Sequence, residues 1–299
     1  MGVLPKAGWT MFVLYRVGGG AASNVPKGSI KTISLLNMEV GRCLNTQMDA
    51  TILSAVKNSL KVTNTTPSVS GKDAPTVDEI RAMIKYNSGA QERCVTLKDY
   101  ESRILKMPPR YGSAFRLRAV EENNKVMLYL LGIDNEGKLT DEIPEKLSDN
   151  ISNYLSMYRT INDYVEIKSG RIINISIEAD IYVDKNYNKG DVGKSVVKTI
   201  TSYMDINKHQ MGEDIFIGDL EKEISKIDGV INLTGMRVFN EYGTGYSGTR
   251  TSQTIMEEET EGQSEIDLEA NDYILNSEPD EMFELKYPES DIRLRIKTR

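Results

Sequence analysis

Residues 173–183 read INISIEADIYV. Here Ile173, Ile175, Ile177, Ala179, Ile181 and Val183 alternate with Asn174, Ser176, Glu178 and Asp180. Apolar residues at every second position put one face of an extended strand against a core and leave the other to polar surroundings. This is the longest strand signal in the chain. Just downstream, Val192, Val196, Ile200 and Tyr203 or Met204 recur at helical spacing. Ile215 to Ile217 fits a short strand. Asp219 is placed to cap a helix carrying Leu220, Ile224 and Ile227, which Asp228-Gly229 ends, and Val230 to Phe239 returns as a strand.

Upstream, Thr96 to Thr160 reads helix, strand, strand, helix. Phe115, Leu117 and Ala119 alternate with Arg116 and Arg118, which predicts a strand with one wet face. Val126 to Ile133 is continuously apolar and suits a central strand covered on both sides, closed by turn residues Asn135-Glu136-Gly137. After Pro144, the residues Leu147, Ile151, Leu155 and Tyr158 form an apolar stripe for a helix lying on that sheet. Tyr154 and Tyr158 read as packing residues, because a base-stacking platform needs a basic groove beside it. Helices and strands alternate without a regular βαβ repeat. The class is therefore α+β, with two or three small mixed units whose antiparallel or mixed sheets are covered by helices.

Ser70 to Tyr100 shows two helix starts. Thr96 is a candidate N-cap with Asp99 three residues on, and Val95 with Tyr100 has the spacing of a hydrophobic staple. Thr76 with Glu79, helped by Asp78, repeats the device. Nearer the start, Met11 to Val17 reads as a strand running into Gly18-Gly19-Gly20, and Ser29 to Leu36 as a return strand. Met48, Ile52, Leu53 and Val56 have helical spacing and read as core. At the other end, Tyr242 to Gly248 is a glycine-rich linker or flexible loop, and an acidic stretch runs from Glu257-Glu258-Glu259 to Asp291. Within it Phe283, Leu285 and Tyr287, then Ile292, Leu294 and Ile296, alternate about a turn at Pro288-Glu289-Ser290-Asp291. That pattern predicts a C-terminal β-hairpin, which needs a domain or neighbouring subunit to pack on. The expected organisation is a β-rich segment over 1–75, α+β units over 76–161 and 162–240, and a linker with an acidic β segment over 241–299.

Composition narrows the function. A net charge of −7 and a pI near 5.1 argue against general binding to nucleic-acid phosphates. The run Val126 to Leu131 is too short to span a bilayer, no signal peptide is visible, and Lys6 stands where a lipidation signal needs Ser or Thr. The two cysteines, Cys43 and Cys94, give no disulfide framework, which suits a reducing cytoplasm.

Candidate chemistry is sparse. Gly190-Asp191-Val192-Gly193-Lys194-Ser195 lies between strand and helix like a phosphate-binding loop, but Asn188 stands where the first glycine should be. The alternative is a turn using Gly190 and Gly193 ahead of an ordinary helix. Gly18-Gly19-Gly20 lacks a helix start directly after it. His209 is the single histidine, which excludes multi-histidine metal sites; its polar surroundings read as an exposed loop. The pairs Asp99 with Glu101 and Asp78 with Glu79 are explained by helix dipoles, and Glu213 and Asp214 read as surface charges. No catalytic, cofactor-binding or metal-binding residue is assigned, no cofactor is expected, and the chain reads as a non-enzyme.

One resemblance adds to this reading. The order Tyr15-Arg16-Val17-Gly18-Gly19-Gly20-Ala21-Ala22-Ser23-Asn24-Val25-Pro26-Lys27-Gly28, then Arg93-Cys94-Val95-Thr96-Leu97-Lys98-Asp99-Tyr100, then Met107-Pro108-Pro109, resembles the baseplate J-like family. That family comprises wedge components of contractile phage tails and related injection machines. The likeness continues to about Phe239, with Ser70-Gly71 standing where the family often has paired glycines. The chain opens inside the family's pattern, as the C-terminal part of a longer wedge subunit would. The resemblance implies a structural, late, virion protein of the tail baseplate, assembled in the host cytoplasm. It would associate with itself through dimer contacts within a ring and with other wedge proteins around the hub, without direct contact to nucleic acid or membrane. Two alternatives stay open: a wedge subunit of a bacterial contractile injection or secretion system, and a nucleotide-binding enzyme using Lys194 and Ser195.

Overall fold

The structure, a computed structural model, describes residues 8, 10, 18–34, 50–77, 80–81, 93–255 and 262–298. The expectations for Met11 to Val17, Cys43, Met48, Asp78, Glu79 and Glu257 to Glu259 fall outside these residues. The chain is α+β, with two main sheets, both mixed, packed by helices.

The first sheet is built around the apolar run. Strand β1 (Arg116–Glu122) pairs antiparallel with β2 (Lys125–Ile133), which also pairs with the short β3 (Leu139–Thr140) and, in parallel, with β4 (Val165–Ser169). Its helices are α2 (Leu97–Leu105) and α3 (Glu145–Leu155), which come after α1 (Ala50–Ser59) in the chain. As the pattern predicted, β2 is covered on both faces. Leu128 and Leu130 pack with Ile104, Leu147, Ile151 and Leu155 under the helices, whereas Met127, Tyr129, Leu131 and Ile133 join a different cluster on the other side. Tyr154 and Tyr158 pack as expected, with ring centroids 5.1 Å apart beside the first cluster.

The cap of α2 is the expected one. Thr96 accepts from the Asp99 N–H at 3.2 Å, and the Asp99 carboxylate accepts from the Thr96 N–H at 2.8 Å. Val95, however, is 73 % exposed and closes no staple over the buried Tyr100. We expect Thr96→Ala to cost about 1 kcal/mol, read from the denaturation midpoint. A loss below a few tenths would mean that the cap is idle.

The second sheet is centred on β5 (Arg171–Val183). After it come α4 (Lys189–Tyr203), the short β6 (Ile215–Phe216), α5 (Ile217–Ser225) and β7 (Val230–Glu241), which pairs antiparallel with β5. β8 (Gln263–Glu265) adds to β7, and β9 (Ile274–Leu275) pairs with β6. The isoleucines of β5 form the largest core with Val192, Val196 and Ile200 of α4 and Leu220 and Ile224 of α5. Asp219 sits inside the first turn of α5, paired to Lys222, and does not cap it. The helix starts at Ile217 because that apolar residue is drawn into the core. Gly229 ends the segment with a φ of 92°.

The C-terminal segment is docked, as expected. Strand β10 (Glu281–Glu284), the one-turn helix α6 (Pro288–Asp291) and β11 (Ile292–Thr298) lie along the edge of β5 opposite β7. β10 runs parallel to β5 at Arg171 to Asn174, and β11 runs parallel to it at Ile177 to Val183. The two strands are thus partners of β5, end to end, and not of each other.

Other expectations need correction. Residues 29–34 form no strand; Ile30 and Ile33 are exposed, and the segment is tied instead through Asn64, whose carboxamide oxygen accepts from the Ile30 N–H. The helix over Val56 forms, but Val56 is exposed rather than core. The glycine-rich stretch after β7 is no free linker, because Ser247 donates its N–H to Asn174 Oδ1 at 2.7 Å and its hydroxyl to the Ile172 carbonyl. Within the acidic stretch Glu281, Glu284 and Asp291 are buried, in keeping with its docking.

A buried joint between the two sheets as the candidate functional site

The chain passes from the first sheet to the second through one residue, Gly170, between the end of β4 and the start of β5. Its N–H still donates to the Leu130 carbonyl at 2.8 Å, so it belongs to the first sheet's ladder. A Cβ there would stand 2.8 Å from Met211 Cε and 3.1 Å from both the Asp280 carbonyl oxygen and Leu131 Cγ. Only glycine fits without a shift. Around this crossing a third hydrophobic cluster forms from both sides, with Phe115, Met127, Tyr129 and Leu131 from the first sheet meeting Ile172, Met211 and Met282 from the second.

Arg116 is the polar centre of the joint. Its alternation with apolar neighbours predicted a wet position, yet the residue is 3 % exposed. The face of β1 that carries it is the one against which the second unit packs. The guanidinium donates to the carbonyls of His209, Ile206 and Asn207 at 3.0 Å each, and to its neighbour Phe115 at 3.2 Å. Those three acceptors lie in the loop that follows α4. A guanidinium fork can saturate several carbonyls at once, which offsets the cost of taking the charge out of water.

Glu284 and Asn24 complete the joint. Glu284 Oε1 accepts from the Leu139 N–H at 2.7 Å, and Oε2 from the Asn174 carboxamide at 2.9 Å, so one carboxylate spans both sheets. Asn24 donates to the carbonyls of Ile133 and Gly71 and accepts from the Gly71 N–H, fastening the 20–24 turn to the end of β2. On the rim, Arg171 grips Asp280 with both arms of its guanidinium, at 2.7 and 2.8 Å.

Burial pushes the Glu284 carboxyl above its ordinary value of 4.5, against the opposing pull of the Leu139 N–H, Lys286 and Asn174; Glu281 is raised for the same first reason. A folded state that holds its proton more tightly than the unfolded one is favoured fully below the unfolded value, and that contribution is lost as pH rises through the folded value. We therefore expect stability to fall as pH rises above about 4.5, and the fall to be shallower in Glu284→Gln. Urea titrations across that range read it. Equal slopes in the two proteins would contradict the assignment.

The residues singled out for chemistry are scattered. Gly190 to Ser195 lies wholly within α4, which starts at Lys189 and is capped by Asn188 accepting from the Gly190 N–H at 2.9 Å. The turn ahead of the helix lies at Asp184 to Tyr187, before the glycines rather than at them. Gly193 is needed for close packing, because a Cβ would meet Ile296 Cδ1 at 2.9 Å, while Lys194 and Ser195 point outward. At Gly18 to Gly20 a short 3-10 turn (Gly20–Ser23) forms, and its Ala21 N–H is already taken by the Asp73 carboxylate at 3.2 Å. His209 is half-buried beside Tyr203 rather than exposed, its Nε2 2.8 Å from the Tyr203 carbonyl. Cys94 is buried in the first core, and burial pushes its thiol up to about 11, which makes it a poor nucleophile. Among the described residues, no group of three or more His, Cys, Asp or Glu is placed to hold a metal ion, and no helix is long and apolar enough to cross a membrane. Sequence reading missed Arg116, Asn24 and Glu284. Their partners lie up to 145 positions away, so no local pattern marks them.

What fold and joint define is an α+β protein of two sheets fused through a buried polar and apolar seam. No family model matches the chain, and no curated protein matches it. Among solved structures it is similar to a chain of the anti-feeding prophage baseplate, determined by cryo-electron microscopy with 6-fold symmetry, with a TM-score of 0.42 and 11% identity over 76% of this chain. The match covers 45% of that chain.

Proposed function

We propose that the protein is a structural subunit of the baseplate of a contractile tail or injection machine, a wedge component that binds copies of itself and other wedge proteins. The observation that carries the structural half of this reading is the joint. Its polar side chains are spent on holding two sheets in one arrangement, which is what a part positioned between neighbours requires. The baseplate half rests on the ordered resemblance of Tyr15 to Gly28, Arg93 to Tyr100 and Met107 to Pro109 to the J-like family. Under this reading the protein is not an enzyme, works in a virion tail after assembly in the host cytoplasm, and forms part of a ring around a hub. A bacterial injection system would use the same architecture.

Sedimentation velocity of the purified chain, alone and with the other baseplate proteins of its own machine, tests the proposal. Defined co-sedimenting complexes are expected. A monomer at high concentration that gains no mass on adding those partners overturns it. Saturable binding of ATP with magnesium, lost in Lys194→Ala, would turn the reading to an enzyme.

A further inference from the structure

β11 is the edge strand of the second sheet over its seven residues, Ile292–Thr298. Among the described residues its backbone ladder goes to β5 alone, so its outer flank offers open N–H and C=O groups. The side chains are sorted by face. Leu294 and Ile296 turn toward the helices and pack on the large core, with Ile296 close against Gly193 of α4. Arg293, Arg295 and Lys297 turn to the opposite face, in register with Glu178, Asp180 and Tyr182 of β5.

Beside β11 that face holds four cations, Arg237, Arg293, Arg295 and Lys297, against two carboxylates, Glu178 and Asp180. Arg237, Arg293 and Arg295 converge on the single carboxylate of Glu178, at 2.6, 3.3 and 3.7 Å. Arg293 and Arg295 remain 50% and 64% exposed. Lys297 sits over the Tyr182 ring. This patch belongs to a chain whose net charge is −7. Cations along an edge resist pairing with an identical strand, because like charges then face each other across the ladder. They favour a strand of opposite charge.

We propose that the free edge of β11 takes an extended segment of a different protein, added as a further strand. In that segment acidic residues alternate with apolar ones. Its carboxylates meet Arg293, Arg295 and Lys297, its apolar residues continue the row begun by Leu294 and Ile296, and backbone ladder bonds supply the adhesion. The inference deepens the assembly reading by naming a surface and its occupant. Its failure would leave the sedimentation result above standing.

The probe is a labelled seven-residue peptide alternating Glu and Val, titrated against the full chain by fluorescence anisotropy at low salt. Saturable binding that weakens with added salt is expected. The Arg293→Glu/Arg295→Glu variant should bind at least about tenfold more weakly, and should bind the Lys-Val version of the peptide instead. The single Arg295→Glu, at the most exposed site, guards against misfolding. Peptides N-methylated at alternate residues should split by parity, one binding and the other not, because a strand offers only every second N–H to a given neighbour. Absent saturable binding, indifference to charge reversal, or equal binding of both N-methylated peptides overturns the proposal. So does self-association of the wild type that Arg295→Glu abolishes, since the occupant would then be a second copy.

Discussion

Arg116→Met lowers the folding stability of the chain by about 3–5 kcal/mol, a large share of the roughly 5–15 kcal/mol that holds a protein of this kind together. Methionine matches the stem of arginine and removes only the charged fork. The carbonyls of Ile206, Asn207 and His209, which accept from that fork at 3.0 Å, then lose the donor that this partly buried seam holds for them. Each unmet buried acceptor costs about 1–3 kcal/mol. Arg116→Lys is expected to recover less than half of the loss, because one ammonium cannot reach three acceptors arranged for a planar fork. Chemical denaturation monitored by intrinsic fluorescence reads both variants. A loss below about 1 kcal/mol for Arg116→Met would show that the 205–210 loop is satisfied without it.

Gly170→Val comes second, at about 3 kcal/mol. Here the cause is space. The methyl end of Met211 can swing aside, but the Asp280 carbonyl is backbone held by its own bond from the Arg171 N–H at 2.7 Å. A β-branched side chain would press on both and on Leu131, pushing β2 and the start of β10 away from the crossing. Gly170→Ala should cost about 1 kcal/mol, since one methyl needs only small shifts. Equal effects of Ala and Val would mean that backbone freedom, not crowding, sets the preference for glycine.

The elements that could be read from the sequence are those whose cause is local. The alternation of Ile173 to Val183, the apolar run of Val126 to Ile133, the stripe Leu147, Ile151, Leu155 and the Thr96 to Asp99 cap each sit within one element, and each forms as its pattern implies. The joint could not be read that way. Arg116 looks solvent-facing in any local pattern because its partners lie 90 to 93 residues downstream. Asn174 and Ser176 read as a wet face, yet Ser247, Glu284 and Glu241 cover them. Glu284 sits in a stretch of 251–285 that holds no lysine or arginine, where charge density argues for solvation. Burial followed from pairing beside β5, which depends on tertiary geometry. The glycines mislead for a related reason. Gly190 and Gly193 suggest a loop by type, whereas Gly193 serves the close approach of a helix to an edge strand.

The two sheets, joined through Gly170 and locked by Arg116, Glu284 and a shared apolar cluster, should behave as one block. Differential scanning calorimetry of the full chain shows whether they unfold together. A single cooperative transition is expected, with calorimetric and van't Hoff enthalpies in a ratio of about one. Two separable transitions in the unsubstituted protein, one for each sheet and its helices, would contradict it.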